Sequence, residues 1–298
     1  MTRSERLERL ALSFFGRPSD GSAAALFRIA FALLSAFQLI GIWLNLHRFW
    51  GHDGMIPFEV VAKDKYLWIT PFAWAPKSEV VLVGHGVLMT VATAALLVGY
   101  RARVATLVIA YLHLSLQARN PFILNSGDRL FMIVAALAAF MPLSHRFGVD
   151  AWLRAKKRLP IPDASVWGQR LVGLQISYVY LNSTFAKLAN RRWQSGMALR
   201  DVLASPVFAE WPMYIDNRPV IWGLTYGTLA FELLFPVLVW FKKIRPYAIV
   251  SGVLFHIGID VTMVIPIFSY IMIVSYLAYL SDDEASWLWR KVLRVRDA

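Results

Sequence analysis

Apolar runs separated by short charged clusters set the organisation of this chain. A helix rises about 1.5 Å per residue and the hydrocarbon layer of a bilayer is about 30 Å thick, so a crossing needs about 20 mostly apolar residues. Eight stretches come close: Ala23–Leu46, Glu79–Tyr100, Val104–Leu124, Asp128–Leu143, Val166–Leu188, Val220–Phe241, Pro246–Ile265 and Pro266–Leu280. The fourth and eighth are short, and a kink is expected at Pro266, which brackets the count between about seven and nine. The predicted fold class is all-α: a polytopic integral membrane helical bundle of about eight transmembrane helices, with interfacial helices in the outer loops.

Orientation follows from lysine and arginine between the spans. With the N-terminus, the second, fourth and sixth loops and the C-terminus on one side, eighteen basic residues fall there against eleven on the other, counting Arg119, Arg129 and Lys187 at the span ends. Most of the eleven lie in two long loops, where the charge rule is weakest, while the compact clusters Arg154/Lys156/Lys157/Arg158 and Lys242/Lys243/Arg245 fall on the richer side. A multi-pass cell-membrane protein with both termini cytoplasmic is therefore expected. Residues 1–22 place Arg3, Arg6, Arg9 and Arg17 among leucines and phenylalanines, as a basic amphipathic segment in the headgroup region would. The run that follows is long for a signal-peptide core and ends without a small-residue cleavage site, so it is expected to remain. Residues 23–280 then form the transmembrane domain, and 281–298, with Trp287, Trp289, Arg290 and Lys291, a basic cytoplasmic tail. Two outer segments, 47–78 and 189–219, are rich in tryptophan and proline and suit a cap or lid over the bundle. No repeat of period 20–50 residues and no matching halves appear, which argues against solenoids and inverted-repeat transporters.

Composition agrees. With 58% hydrophobic residues, 17% charged and a mean hydropathy of +0.51, the chain does not fit a soluble domain. A net charge of +12 would suggest nucleic acid in a soluble protein, but between apolar runs it reads as anchoring to lipid headgroups, and no nucleic-acid partner is expected. The absence of cysteine excludes disulfides, thiolate metal sites and thiol nucleophiles.

Ionisable residues inside spans are informative, because each costs about 2.5–3.5 kcal/mol at a helix centre on the insertion scale unless it finds a partner or water. They are Arg28 in the first span, Asp128 and Arg129 opening the fourth, Arg170 and Lys187 at the ends of the fifth, Glu232 within the sixth, and His256 with Asp260 in the seventh. Under the proposed orientation Lys187 and the group Asn125, Asp128 and Arg129 lie toward the same outer surface. His256 and Asp260, four apart, share a helix face, where the carboxylate would fix the imidazole tautomer. These positions describe one outward polar cavity. Each also has a structural reading: snorkelling for Lys187 and Arg28, a helix cap for Asp128, ion pairing for Glu232. The remaining histidines, His47, His52, His85, His113 and His145, lack metal-ligand spacing, and no metal is expected. Phosphate-cradling glycine loops, GxSxG elbows and HExxH pairs are missing as well.

Several ordered motifs are similar to one family. Ala25-Leu-Phe-Arg-Ile-Ala30, Asn125-Ser-Gly-Asp-Arg-Leu130, Phe185-Ala-Lys-Leu188 with Trp193-Gln-Ser-Gly196, and Phe255-His256 with Phe268-Ser-Tyr-Ile-Met272 resemble the HTTM family, whose membrane domain is shared with vitamin K-dependent gamma-carboxylase. The resemblance runs from about Ala23 to Leu280. It implies that Lys187 is the base that deprotonates a lipophilic hydroquinone. An apolar pocket disfavours the charged ammonium, which suits a lysine to that task. Glutamate carboxylation itself is not expected: the carboxylase's histidine before the fourth span is absent from Asn125-Ser-Gly-Asp128, and only about eighteen residues follow the last span. The expectation is a carboxylase-like core with Lys187, Glu232, His256 and Asp260 as catalytic candidates, Arg28, Asn125, Asp128 and Arg129 lining the cavity, and a lipophilic quinol or similar lipid as cosubstrate. The competing expectation is a non-catalytic membrane protein that binds lipid or a protein partner.

Overall fold

The computed structural model describes residues 3–63 and 66–293. Along the chain run α1 (Arg3–Phe15), α2 (Ser22–Trp50), the short α3 (Phe58–Val61) and α4 (Pro71–Trp74), α5 (Glu79–Val98), α6 (Ala102–Arg119), α7 (Ser126–Ala138) and α8 (Val149–Lys156). There follow α9 (Trp167–Leu188), α10 (Arg191–Gln194), α11 (Ala198–Ala204), α12 (Arg218–Leu238), α13 (Arg245–Thr262), α14 (Phe268–Ser275) and α15 (Asp282–Leu293). Among the described residues the only β-type pairings are isolated bridges. A helix underlies each of the eight predicted stretches. Three of these helices, α2, α5 and α12, are long and apolar enough to cross a membrane. The 13 residues of α7 fall short of the length a crossing needs, and Phe268–Tyr279 is apolar but also short.

The chain divides into two compact units, residues 1–171 with 280–298, and Val172–Tyr279. In the first, α2 packs on α5, α5 on α6 and α6 on α7, while α15 returns to α2. The α5–α6 hairpin turns at Gly99, whose φ of 70° is the left-handed conformation that glycine adopts without penalty. The described residues between 51 and 78 close one end of this stack. Val61, Leu67 and Phe72 are buried with Leu46, Trp50, Leu82 and Leu116 in one apolar cluster. Arg119, fully buried, ties that cap down by donating to the carbonyls of Gly51 (2.6 Å) and Ile56 (3.1 Å). At the start of α2 the Asp282 carboxylate accepts from Ser19 Oγ and from the backbone N–H groups of Asp20 and Ala23, each at 2.9 Å. An anion at a helix N-terminus satisfies donors that the helix itself leaves open.

The second unit is built from α9 beyond Leu171 and from α10 to α14. Proline decides two features. Pro236 lies inside α12, where it cannot donate to the carbonyl of Glu232 one turn back. Pro266 does more than kink the seventh predicted stretch. The helix stops at Thr262, and residues 262–264 run beside 208–210, with Glu210 N–H donating to Thr262 O (3.0 Å) and Val264 N–H to Phe208 O (2.9 Å). The residue before a proline avoids helical angles, so the chain is extended there and pairs with the outer loop instead.

Candidate functional site

α9 carries the site because a polar stripe runs down one side of it. Gly173, Ser177, Tyr180, Thr184 and Lys187 recur at spacings of three and four, which keeps them on one helical face. Ser177 Oγ lies 3.1 Å from Tyr279 Oη, which donates to the Gly173 carbonyl at 2.7 Å. Tyr180 Oη is hydrogen-bonded to His256 Nε2 at 2.8 Å and also to the hydroxyl of Tyr276. Phe231, Phe235 and Phe268 pack their rings against Tyr180 or His256, so this imidazole–hydroxyl–hydroxyl chain is walled by aromatic carbon.

In the last turn of the same face Lys187 Nζ is paired with Glu232 Oε1, to which Ser183 Oγ also donates at 3.4 Å. The Glu232 side chain is 7% exposed and that of Lys187 22%. The Trp193 ring centre lies 4.8 Å from the Lys187 nitrogen. Trp193 reaches it because α10 turns back after α9, with Asn190 capping Arg192 N–H (2.9 Å). Gly196 then leaves that turn at φ 73°; a Cβ there would stand 2.6 Å from Trp222. The Phe185-Ala-Lys-Leu188 and Trp193-Gln-Ser-Gly196 segments are thus one local construction, and its product is an amine held between a carboxylate and an indole face. Two buried atoms, Glu232 Oε2 and His256 Nδ1, have no hydrogen-bond partner among the described residues.

The other expected residues are placed differently. His256 does not meet Asp260. The imidazole turns into the unit toward Tyr180, whereas Asp260 accepts from Tyr270 at 2.8 Å, so a shared helix face did not make a contact. Arg28, in the first unit, is fully buried and donates to the carbonyls of Leu143 (2.8 Å), Arg146 (3.1 Å) and Phe147. It fastens the segment after α7 and offers no cavity-lining charge. Asn125 and Asp128 form a reciprocal cap on α7: Asn125 Oδ1 accepts from Gly127 N–H at 2.7 Å, and Asp128 Oδ2 from Asn125 N–H at 3.3 Å. Asp128 Oδ1 also accepts from Gln38 at 3.1 Å. Arg129 is exposed and forms no side-chain hydrogen bond or ion pair among the described residues. Among the described residues no three His, Asp or Glu side chains gather as a metal site.

Sequence reasoning missed Tyr180, Tyr276, Tyr279 and Ser177, having sought site residues by formal charge, and gave Trp193 a place in a motif but no role. The legible signal was the periodic polar stripe within an apolar run on α9. Arg119 was missed because it ends its helix, where it looks like an interfacial cation.

The family model of the HTTM domain aligns with residues 16–284, nearly the whole chain. The chain belongs to the HTTM domain family. With its long apolar helices, this HTTM protein is a membrane protein. It is similar to the sporulation-delaying protein SdpB of Bacillus subtilis (strain 168), at 28% identity over 117 residues, covering 37% of this chain and 36% of that protein. The chain therefore spans about a third of the length of that curated relative. No solved structure matches this HTTM chain.

Proposed function

We propose that this chain is a multi-pass cell-membrane protein of eight crossings, with both termini cytoplasmic, and that its second unit handles protons for a lipophilic hydroquinone or similar lipid. The observation that carries this reading is the Lys187–Glu232 pair under the Trp193 face, together with the buried Glu232 Oε2 and His256 Nδ1, which no described residue satisfies. Lys187 accepts a proton from the hydroquinone hydroxyl. For that, the proton it shares with Glu232 must sit on the carboxylate, leaving the amine lone pair open; the neutral amine–acid form of the pair meets this requirement. The ammonium then formed lies over the indole face, which stabilises a cation. The deprotonated hydroquinone is the electron-rich reductant that reacts with dioxygen. Tyr180 and Tyr276 hold the His256 ring, whose open Nδ1 and the free Glu232 Oε2 suit a phenolic hydroxyl. Asp260 keeps a lesser role, orienting Tyr270.

The test is oxygen uptake by purified protein given a reduced naphthoquinone. Uptake above the protein-free rate is expected for wild type and is lost in Lys187→Ala with folding retained; equal uptake in that variant removes the lysine from the mechanism.

A second reading, a non-catalytic lipid- or partner-binding protein, is favoured by one observation. Arg28, Arg119, Asn125 and Asp128 all serve structure, so this fold does employ buried polar groups as fasteners. Under it, Lys187→Met and His256→Ala both lower thermal stability and no uptake is seen in wild type.

A further inference from the structure

α8 and the residues after it take no part in the function proposed above. Their position is set by hydrogen bonds to the α5–α6 turn: Asp150 N–H donates to the Gly99 carbonyl at 3.2 Å, and Arg101 N–H to Asp150 Oδ2 at 2.8 Å. Arg154 adds a bond to the Ser144 carbonyl. Since α5 is long and apolar enough to cross a membrane, its end at Val98 lies where hydrocarbon gives way to headgroups. Whatever is bonded to Gly99 and Arg101 lies at that depth.

What α8 presents there is mixed. Trp152 is 61% exposed, and Leu159 and Ile161 are 55% exposed, a degree unusual for apolar side chains facing only water. Between them stand the exposed cations Lys156, Lys157 and Arg158, with Lys156 Nζ 5.3 Å from the Trp152 ring centre. Residues 144–163 hold five lysines and arginines against two aspartates, one of which, Asp150, is engaged by the Arg101 backbone. An indole and two aliphatic side chains among flexible cations match a bilayer interface on both counts. The rings enter the acyl boundary, and the ammonium and guanidinium groups meet phosphate. Charge selects the lipid class, since a zwitterionic headgroup brings an ammonium of its own.

We infer that α8 with residues 157–161 is a binding surface for anionic phospholipid headgroups, with Lys156, Lys157 and Arg158 as the phosphate contacts and Trp152 as the interfacial anchor. This rests on the membrane reading of α5 and is independent of Lys187.

The test uses the full chain purified in a neutral detergent, with thermal unfolding followed after adding phosphatidylglycerol, phosphatidylcholine or glycerol phosphate. Phosphatidylglycerol is expected to raise the midpoint by about 3–6 °C, and the other two by less than a third of that. The combined K156Q/K157Q/R158Q variant should keep its lipid-free midpoint and lose at least half of the gain, whereas K242Q/K243Q, an equally exposed basic pair elsewhere, should keep it. Equal gains with both lipids, a full gain in the triple variant, a matching loss in K242Q/K243Q or a gain from glycerol phosphate alone each overturn the assignment. If the triple variant does not fold, salt decides on wild type: the gain should shrink in about 0.5 M potassium chloride, and a gain that persists undiminished there refutes it.

Discussion

Arg28 in the first unit donates hydrogen bonds to three backbone carbonyls, and no ion pair joins it among the described residues; Lys187 in the second donates one to the carboxylate of Glu232. The contrast separates two uses of a cation in an apolar helix. Peptide carbonyls are fixed acceptors that cannot take the proton away, so Arg28, a guanidinium that stays charged, is a permanent staple. A carboxylate is an acceptor that exchanges protons, so the Lys187–Glu232 pair can redistribute charge. The atoms left open differ in kind: among the described residues Arg28 leaves a donor, Nε, without a partner, and Glu232 an acceptor, Oε2.

The largest effect expected is from the staple. Arg28→Met leaves one buried and two part-buried carbonyls without their donor, the buried one worth about 1–3 kcal/mol and the others less, so a loss of about 3–4 kcal/mol is expected. Thermal unfolding in detergent checks this, and a variant as stable as wild type would erase the distinction between the units. Next comes the exchangeable pair. Glu232→Ala strands a partly buried ammonium at a cost of about 2–3 kcal/mol, less than for a fully buried pair because the lysine retains some water contact. The double variant Lys187→Met/Glu232→Leu should recover most of that, giving a coupling of about 1–3 kcal/mol in a double-mutant cycle. Strictly additive losses would mean that the two side chains do not depend on one another. Gly99→Ala should cost about 2 kcal/mol, since alanine at φ 70° is strained and its Cβ would stand 2.5 Å from Arg28 Nη1. It tests how rigidly the staple is held: a neutral result would mean that the guanidinium moves aside freely.

The smallest effect is a pH dependence near that staple. Burial, and then the Arg154 charge, hold the His145 imidazole below its ordinary value of 6.5. The unfolded chain therefore takes up a proton before the folded one does. The neutral ring's contribution is complete above about pH 6.5 and is lost as pH falls through the lower, folded value. Wild type should lose stability on acidification from pH 7 more steeply than His145→Gln, as followed by chemical denaturation; parallel slopes would show that His145 is not responsible.

How much of this was readable in advance differs from residue to residue. A helix cap at Asp128 was among the structural readings because capping is local; that Asn125, three residues before, forms it reciprocally was not read. The shared face of His256 and Asp260 was read correctly as geometry, but the partners were wrong, since Tyr180 and Tyr270 come from other helices. Glu232 was expected to have a partner, and nothing in the chain near position 232 points to Lys187, 45 residues away. The break at Pro266 was foreseen as a kink; pairing with 208–210 decided that it opens fully.

Sequence alone determined where helices form, that the chain is too apolar to live in water, and which ionisable groups would have to be reconciled with an apolar surrounding. Those properties follow from hydropathy, proline and short-range caps, all set within a few residues. Tertiary structure alone decided which charge meets a carbonyl and which a carboxylate. The reason is physical: a buried cation must find an acceptor wherever packing brings one, and helix–helix packing is fixed by the whole side-chain surface, not by the residues flanking the charge.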